Sequence, residues 1–583
     1  MNILILLVPS IILLIIAYRS YGSWLSRKLG VEPFRKTPAV VNNDGVDYVP
    51  TRLPVLFAHH YSAIAGAGPI IGPTLGILYG VGPAWLWIII GGIFFGAVHD
   101  FAALFASIRE GGSSMAEIAR KALGDYGFLM FISFTGIMLV LVTSAFLSLT
   151  AISLTSIWPV ESLGLSPQQT LLKTRLVDGQ QMGVVGGIAS TSVIIITLCA
   201  PLLGYLIFKK RLNTVLSFLL AALICALSIY VGFEIPMSLP GFTWMVILSI
   251  YVLFASGLPV WTILQPRDFI NVQILYGGIA AMLLGIIITG VGGAVTNMPT
   301  WSLQEGNAHM GPVWPMLFII IACGAISGFH SLVAGGTTAK QISSESQART
   351  IGYGGMILES LLAVLVIVTV ASSLSMSDYL KITWPAAGSG NPILAFSLAV
   401  GSLLHNAFGI TVALGAIIGI LMVEGFVVTT LDAAVRLNRY ILEELWRAIF
   451  KTSPALLRNY WFNSGIAVAL MFFLAVTNGY RLIWPVFGAS NQLLAALTLI
   501  AVTVWLNLAG KKSWFTLIPA VIMVVTTIAS LVYALFNDYI PDRNLILSIV
   551  DIILLLLSVG VITQSLRKAA PIWRARPSRP FSS

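Results

Sequence analysis

The sequence predicts an all-α polytopic membrane protein of about fifteen transmembrane helices, with a core of two inverted five-helix repeats. Three observations predict it. Of 583 residues, 57% are hydrophobic and only 9% are charged, whereas a soluble chain carries about a quarter of charged residues. The apolar residues fall into runs of the length that crosses a bilayer core, roughly 20 residues. Two of those runs, facing opposite ways, carry a Gly/Pro break near the middle. The composition excludes a cytosolic enzyme, a secreted disulfide scaffold and, despite a net charge of +10, a nucleic-acid binder. Cys199, Cys225 and Cys323 sit in apolar runs without CxxC spacing and read as packing residues.

Turn and charge punctuation places spans near 3–18, 54–80, 82–108, 128–158, 183–208, 212–232, 241–264 and 271–293, then near 313–335, 350–375, 409–430, 460–477, 484–509, 513–536 and 543–566. The first run has no basic residue before it and no small-residue cleavage site, so it reads as a retained span. With the N-terminus outside, 27 of the 32 Lys and Arg residues fall in cytoplasmic segments, and the C-terminus is cytoplasmic. Counting residues 391–406 as a full span would move the basic loop Arg436 to Arg458 outside, so that segment reads as a re-entrant or interfacial helix on the outer side. The expected organisation is an N-terminal helix and cytoplasmic loop (1–53), a first repeat (54–232), an inverted second repeat (233–430), and a cytoplasmic amphipathic segment followed by four spans (431–583).

Each repeat opens with a broken helix. The first break contains Gly66, Gly68, Pro69, Ile70 and Gly72; the second contains Ser256, Gly257 and Pro259. Single Gly/Pro sites in membrane helices are ordinary kinks or packing sites. Two at matching positions point to a substrate site, because unwound backbone at mid-membrane is tolerated where it lines a cavity. The carbonyls of Ala63 to Ala67 would face a cation or a donor, and the amides of Ile70, Ile71 and Gly72 an anion, which fits a small carboxylate or a zwitterion.

Ionisable residues inside spans are costly and mark candidate sites. His99-Asp100, His330, Glu359, Glu424 and the pair His59-His60 are of this kind. A carboxylate beside an imidazole would carry a coupling proton; the alternative is a structural ion pair with Arg109, Arg349 or Arg436. Ser327 and Ser331, one helical turn apart, present the oxygens a sodium ion needs or the back-bonding of packing serines. His59, His99 and His330 are weak metal candidates only, because HExxH, HxH and Cys/His clusters are missing from the sequence. No cofactor beyond a coupling proton or sodium ion is expected.

The strings HHYSAIAGAGPIIGP (59–73), CGAISGFHSLVAGGTTAKQ (323–341), SESQARTIGYGGMILES (344–360), TTLDAAVRLNRYILEEL (429–445) and WPVFGASNQLLA (484–495) resemble signatures of the carbon starvation protein A family of membrane transporters. The resemblance runs from about residue 20 to residue 500. It implies a cytoplasmic-membrane importer of peptides or pyruvate, driven by an ion gradient, with a leucine-transporter-like five-plus-five core. It further implies that the first and sixth core helices, 54–80 and 241–264, hold substrate, and that any sodium lies between Ala63 to Gly66 and Ser327 with Ser331. The partners expected are a small carboxylate or peptide and the lipid bilayer, and no enzymatic activity is implied. Two other classes share parts of this pattern: a membrane-embedded metal- or haem-binding protein, which would use the histidines, and a transporter-like nutrient sensor, which would share the site but carry a signalling domain.

Overall fold

A computed structural model describes residues 1–45, 47–169, 171–385, 390–450, 454–478 and 480–575; the end of the basic tail expected at Arg567 to Arg579 lies outside them. Among the described residues, twelve helices are long and apolar enough to cross a membrane, or thirteen if Leu53–Ile64 and Gly68–Tyr79, bent by 41° at a short break, count as one span. Thirteen of the fifteen expected spans are thereby met. The other two take different forms.

The span expected at 241–264 is a 15-residue helix, Gly241–Ala255. Residues 256–263 are non-helical, and a new helix, Leu264–Val291, starts there instead of near 271. The expected break at Ser256, Gly257 and Pro259 is thus a link between two helices. The polar run after it looked like a loop because it contains Arg267, Asp268 and Asn271. All three are buried in the first turns of the helix, where they pair with other buried groups.

The span expected at 313–335 is itself discontinuous. Val313–Ile320 and Phe329–Gly336 are two short helices separated by the non-helical stretch 321–328. The break has no proline. It forms because its backbone finds partners elsewhere: the Ile321 carbonyl accepts from Trp87 Nε1 (3.0 Å), the Phe318 carbonyl from Gln492 Nε2 (2.5 Å), and the Asn491 side chain accepts from the Phe329 amide (2.9 Å). Freed backbone groups in lipid survive only with such substitutes.

The two broken spans meet at their breaks. A Cβ on Gly68 would run into the Cys323 side chain, and one on Gly72 would stand 2.7 Å from the Ile320 carbonyl oxygen. Glycine leaves room for a side chain at the first position and for backbone at the second.

Pro392–Phe408 is a mostly buried helix whose Gly401 and Ser397 pack on Val412 and Gly419, forming an antiparallel hairpin with the helix that follows. That helix, Val412–Ile449, has 38 residues. It absorbs the amphipathic segment 431–449 that was expected to lie beyond the membrane. Between Asp125–Leu154 and Gly186–Lys209 lies a three-stranded antiparallel sheet, with Ile157–Pro159 and Thr174–Val177 flanking Gln180–Val184. Its tight turn is Asp178-Gly179, both with positive φ, as a two-residue hairpin turn requires.

Four connections expected on one face come together. Arg109 grips Glu345 with two nitrogens (2.5 and 2.9 Å) and donates to the Gly30 carbonyl (2.7 Å), while Lys511 donates to the Leu29 carbonyl.

Gly72→Ala should lower stability by about 1–3 kcal/mol, the cost of overpacking a tight interior. Gly277→Ala, at a position facing open space, should not. Thermal unfolding of the two purified variants checks this, and equal transitions would refute the tight approach at Gly72.

Candidate functional site

Around the paired breaks lies a buried chain of ionisable side chains. Asp100, on the Val81–Arg109 helix, accepts from His99 Nδ1 at Oδ1 (2.7 Å) and from His330 Nδ1 at Oδ2 (2.7 Å). His330 stands in the first turn after the second break, and its Nε2 lies 3.4 Å from Glu359 Oε2 on the Arg349–Ser373 helix. All four side chains are at most 1% exposed. The sequence-predicted coupling residues His99, Asp100, His330 and Glu359 therefore converge from three elements. With His330 doubly protonated and both carboxylates ionised, the chain carries one net negative charge, and a single added proton neutralises it.

Other predicted residues are placed differently. Ser327 lies in the unwound stretch, so it does not share a helical face with Ser331. The Ser327 hydroxyl meets the Asn491 side chain, and Ser331 donates to the Gly328 carbonyl (2.7 Å) and meets Thr498 (3.2 Å). Both hydroxyls are thus engaged around the Leu482–Leu508 helix. The hydroxyl that stands against the first break is that of Thr430, 2.9 Å from where a Cβ on Gly66 would sit. The amides of Ile70 and Ile71, expected to face an anion, both donate to the Ala67 carbonyl (3.1 and 2.8 Å). Ser256 Oγ meets Tyr460 and Ser464, the Tyr460 ring packs on Gly257, and Arg436 donates to the carbonyls of Ala255 and Leu258. That link is tied to helices other than the first break. Glu424 is buried near Ser153, apart from the His330 chain.

His59 and His60 stand on the half-helix before the first break. His59 Nδ1 pairs with Asp268 Oδ2 (2.9 Å), and His60 Nδ1 with Thr338 Oγ1 (2.8 Å). The metal candidates therefore divide: His99 and His330 share Asp100, while His59 has a separate carboxylate. Among the described residues no three His, Cys, Asp or Glu side chains group as metal ligands. Near the first break the buried atoms Tyr61 OH, Ser62 Oγ, His59 Nε2, His60 Nε2 and Thr430 Oγ1 have no hydrogen-bond partner among the described residues. Interiors rarely leave so many polar atoms unmatched, and such a set marks a place for water, an ion or a polar ligand.

The sequence reading missed a second buried charge network. Arg267 Nη1 lies 2.6 Å from Asp432 Oδ2 and 2.6 Å from Tyr251 OH, and Tyr251 OH donates to the same Asp432 oxygen (2.7 Å). Arg267 and Arg436 are among the 27 basic residues that the charge pattern places in cytoplasmic segments. The available signal was the nearby acids, Asp268 beside Arg267 and Asp432 one turn before Arg436. Below the second broken span is a cavity of about 240 Å³ lined by Ser114, Leu332, Gly335, Lys340, Tyr440 and Glu444.

Discontinuous spans meeting around buried, mutually paired ionisable groups define a multi-pass integral membrane protein with a polar site inside the bundle. The chain belongs to the carbon starvation protein CstA family, whose profile matches residues 2–392 and 387–530. It is 30% identical to the peptide transporter CstA of Bacillus subtilis (strain 168), covering 98% of each chain. It is also 30% identical to the pyruvate/proton symporter BtsT of Escherichia coli (strain K12), covering 91% of this chain and 81% of the relative. A solved structure of the Eremococcus coleocola manganese transporter is similar at 12% identity and a TM-score of 0.47, over 91% of this chain and 99% of that one.

Removing His330 leaves two buried carboxylates facing each other. His330→Gln should cost about 3–5 kcal/mol, as for breaking a buried ion pair, and adding Glu359→Gln should return part of that loss. A double-mutant cycle on unfolding free energies measures the coupling; strict additivity would show that the two side chains do not interact.

Proposed function

We propose that this protein is a proton-coupled secondary active transporter that imports a small carboxylate such as pyruvate, or short peptides, across the cytoplasmic membrane by alternating access. It transports and does not catalyse. The observation that carries the reading is His330 held between Asp100 and Glu359 directly after the second break. A proton taken up there neutralises the chain, and His330, which stands between the two carboxylates, belongs to the half-helix that follows the break. Occupancy by the proton is thereby linked to the packing of the two broken spans. The names of the relatives, a pyruvate/proton symporter and a peptide transporter, support both the proton and the substrate class.

The substrate lies beside the first break, among the unmatched hydroxyls and imidazoles of His59 to Ser62 and Thr430. Gly66 lets the break come close to Thr430, and Gly68 lets it come close to Cys323. The inverted-repeat relation is retained, with Val313–Ile320 and Phe329–Gly336 as the counterpart of the first broken span in place of 241–264. The N-terminus is outside and the C-terminus cytoplasmic, an orientation supported by the gathering of the basic connections around Arg109, Lys511 and Gly30 on one face.

In proteoliposomes with an imposed pH gradient, the wild type should accumulate labelled pyruvate or dialanine without sodium. Asp100→Asn and Glu359→Gln should each lose gradient-driven accumulation at least tenfold while keeping substrate exchange. If both variants still concentrate substrate, the proton travels by another path. Gly68→Val, which places a branched side chain against Cys323, should abolish uptake while the protein still inserts, as read by uptake and by membrane-fraction yield.

A further inference from the structure

We propose that Arg267 is the anchor for the carboxylate of the transported molecule, an assignment that rests on the transporter reading above. Arg267 is 1% exposed and stands in the first turn of the Leu264–Val291 helix. Its Nη1 is fully occupied by Asp432 Oδ2 and Tyr251 OH, each at 2.6 Å. Its Nε and Nη2 are buried and have no hydrogen-bond partner among the described residues. In a guanidinium, the Nε–H and one Nη2–H point the same way, and that edge takes the two oxygens of a carboxylate side by side. One edge of Arg267 is therefore built into the protein, and the other is presented unmatched inside the bundle.

Structural arginines buried this deeply satisfy their remaining donors, because desolvated charge without partners is costly. The neighbours make the arrangement more specific. Arg436 is 5% exposed, spends Nη2 on the carbonyls of Ala255 and Leu258, and leaves Nε unmatched. Asp268, next to Arg267, turns Oδ2 to His59 on the first broken span. Two arginines and two aspartates balance in charge, and Asp268 Oδ1 and Asp432 Oδ1 are, like the open edge of Arg267, buried without a hydrogen-bond partner among the described residues.

The position suits a transported ligand. Asn271, one helical turn beyond Arg267, donates to the Gly425 carbonyl (3.0 Å) and to Thr429 Oγ1 (3.2 Å). The next residue, Thr430, stands against Gly66 of the first break. Arg267 thus lies roughly one turn, about 5–6 Å, from the level of the break, and His59 joins its helix to the half-helix that bears Tyr61 and Ser62. A carboxylate on Arg267 would put the rest of a small molecule among those unmatched groups. The flanking Asp432 disfavours a dianion such as phosphate, which carries more charge than one open edge can offset.

The test uses purified full-length protein in nanodiscs, with ligand-induced shifts of the unfolding transition read against pyruvate, dialanine, pyruvamide and dialanine amide. The wild type should bind at least one acid tenfold or more tighter than its amide. Arg267→Lys keeps the charge but not the fork, and Arg267→Gln with Asp432→Asn removes both charges without stranding the carboxylate. Each should bind acid and amide alike while keeping a cooperative unliganded transition. A wild type that does not prefer acids, or variants that keep the preference, would overturn the assignment. Uptake in proteoliposomes separates this from the transporter reading. Acid binding that depends on Arg267 without accumulation refutes transport and not the anchor; accumulation with an acid preference that survives in the variants refutes the anchor and not transport.

Discussion

The close approach of the two broken spans, Gly68 against Cys323 and Gly72 against the Ile320 carbonyl, is the contact on which the rest of the core depends. Unwound backbone in a bilayer has no water to bond to, so each freed group must be met by protein. Trp87, Asn491 and Gln492 do this for the second break. To reach it, the Val81–Arg109 and Leu482–Leu508 helices must pack directly beside it. The same packing brings His99 and Asp100 to His330. The break and the ionisable chain are thus two results of one arrangement of helices.

Most of the charges inside the bundle occur in two mutually paired groups, while Glu424 and Asp551 are buried outside them. One holds His330 between Asp100 and Glu359; the other joins Arg267, Asp432, Tyr251 and, through Asp268, His59. Buried pairs of this kind contribute little net stability compared with apolar packing of the same volume. Their presence in a chain with so few charges is therefore better explained by function than by folding. Both groups also join separate helices, so that a change of charge in either is felt by more than one element.

Much of this was legible in the sequence because the relevant signals are local. An apolar run of sufficient length reads as a span, and the run Gly66-Ala67-Gly68-Pro69 within His59 to Pro73 breaks the helix it interrupts. The ionisable residues His99, Asp100, His330 and Glu359 stood out against apolar neighbours. The second break was not legible. Residues 321–328 contain no proline and read as a continuous helix; what unwinds them are partners such as Asn491, more than 160 residues away in sequence. The link at Ser256 to Pro259 misled for the opposite reason, since Gly and Pro mark a helix end and a mid-span break alike. Arg267 and Arg436 were read as loop charges because a one-dimensional count cannot pair Arg267 with Asp432, its partner across the bundle.

The Val412–Ile449 helix carries a further consequence. Its 38 residues make a rod about 57 Å long at 1.5 Å per residue, nearly twice the hydrocarbon thickness of roughly 30 Å. Thr430, Asp432 and Arg436 lie near its middle, and Tyr440 and Glu444 wall the cavity near one end. Such a rod acts as a lever: a tilt of about 5° about its centre displaces each end by roughly 2.5 Å, given that length. A shift too small to break the contacts at the pivot is therefore magnified where the rod borders the cavity.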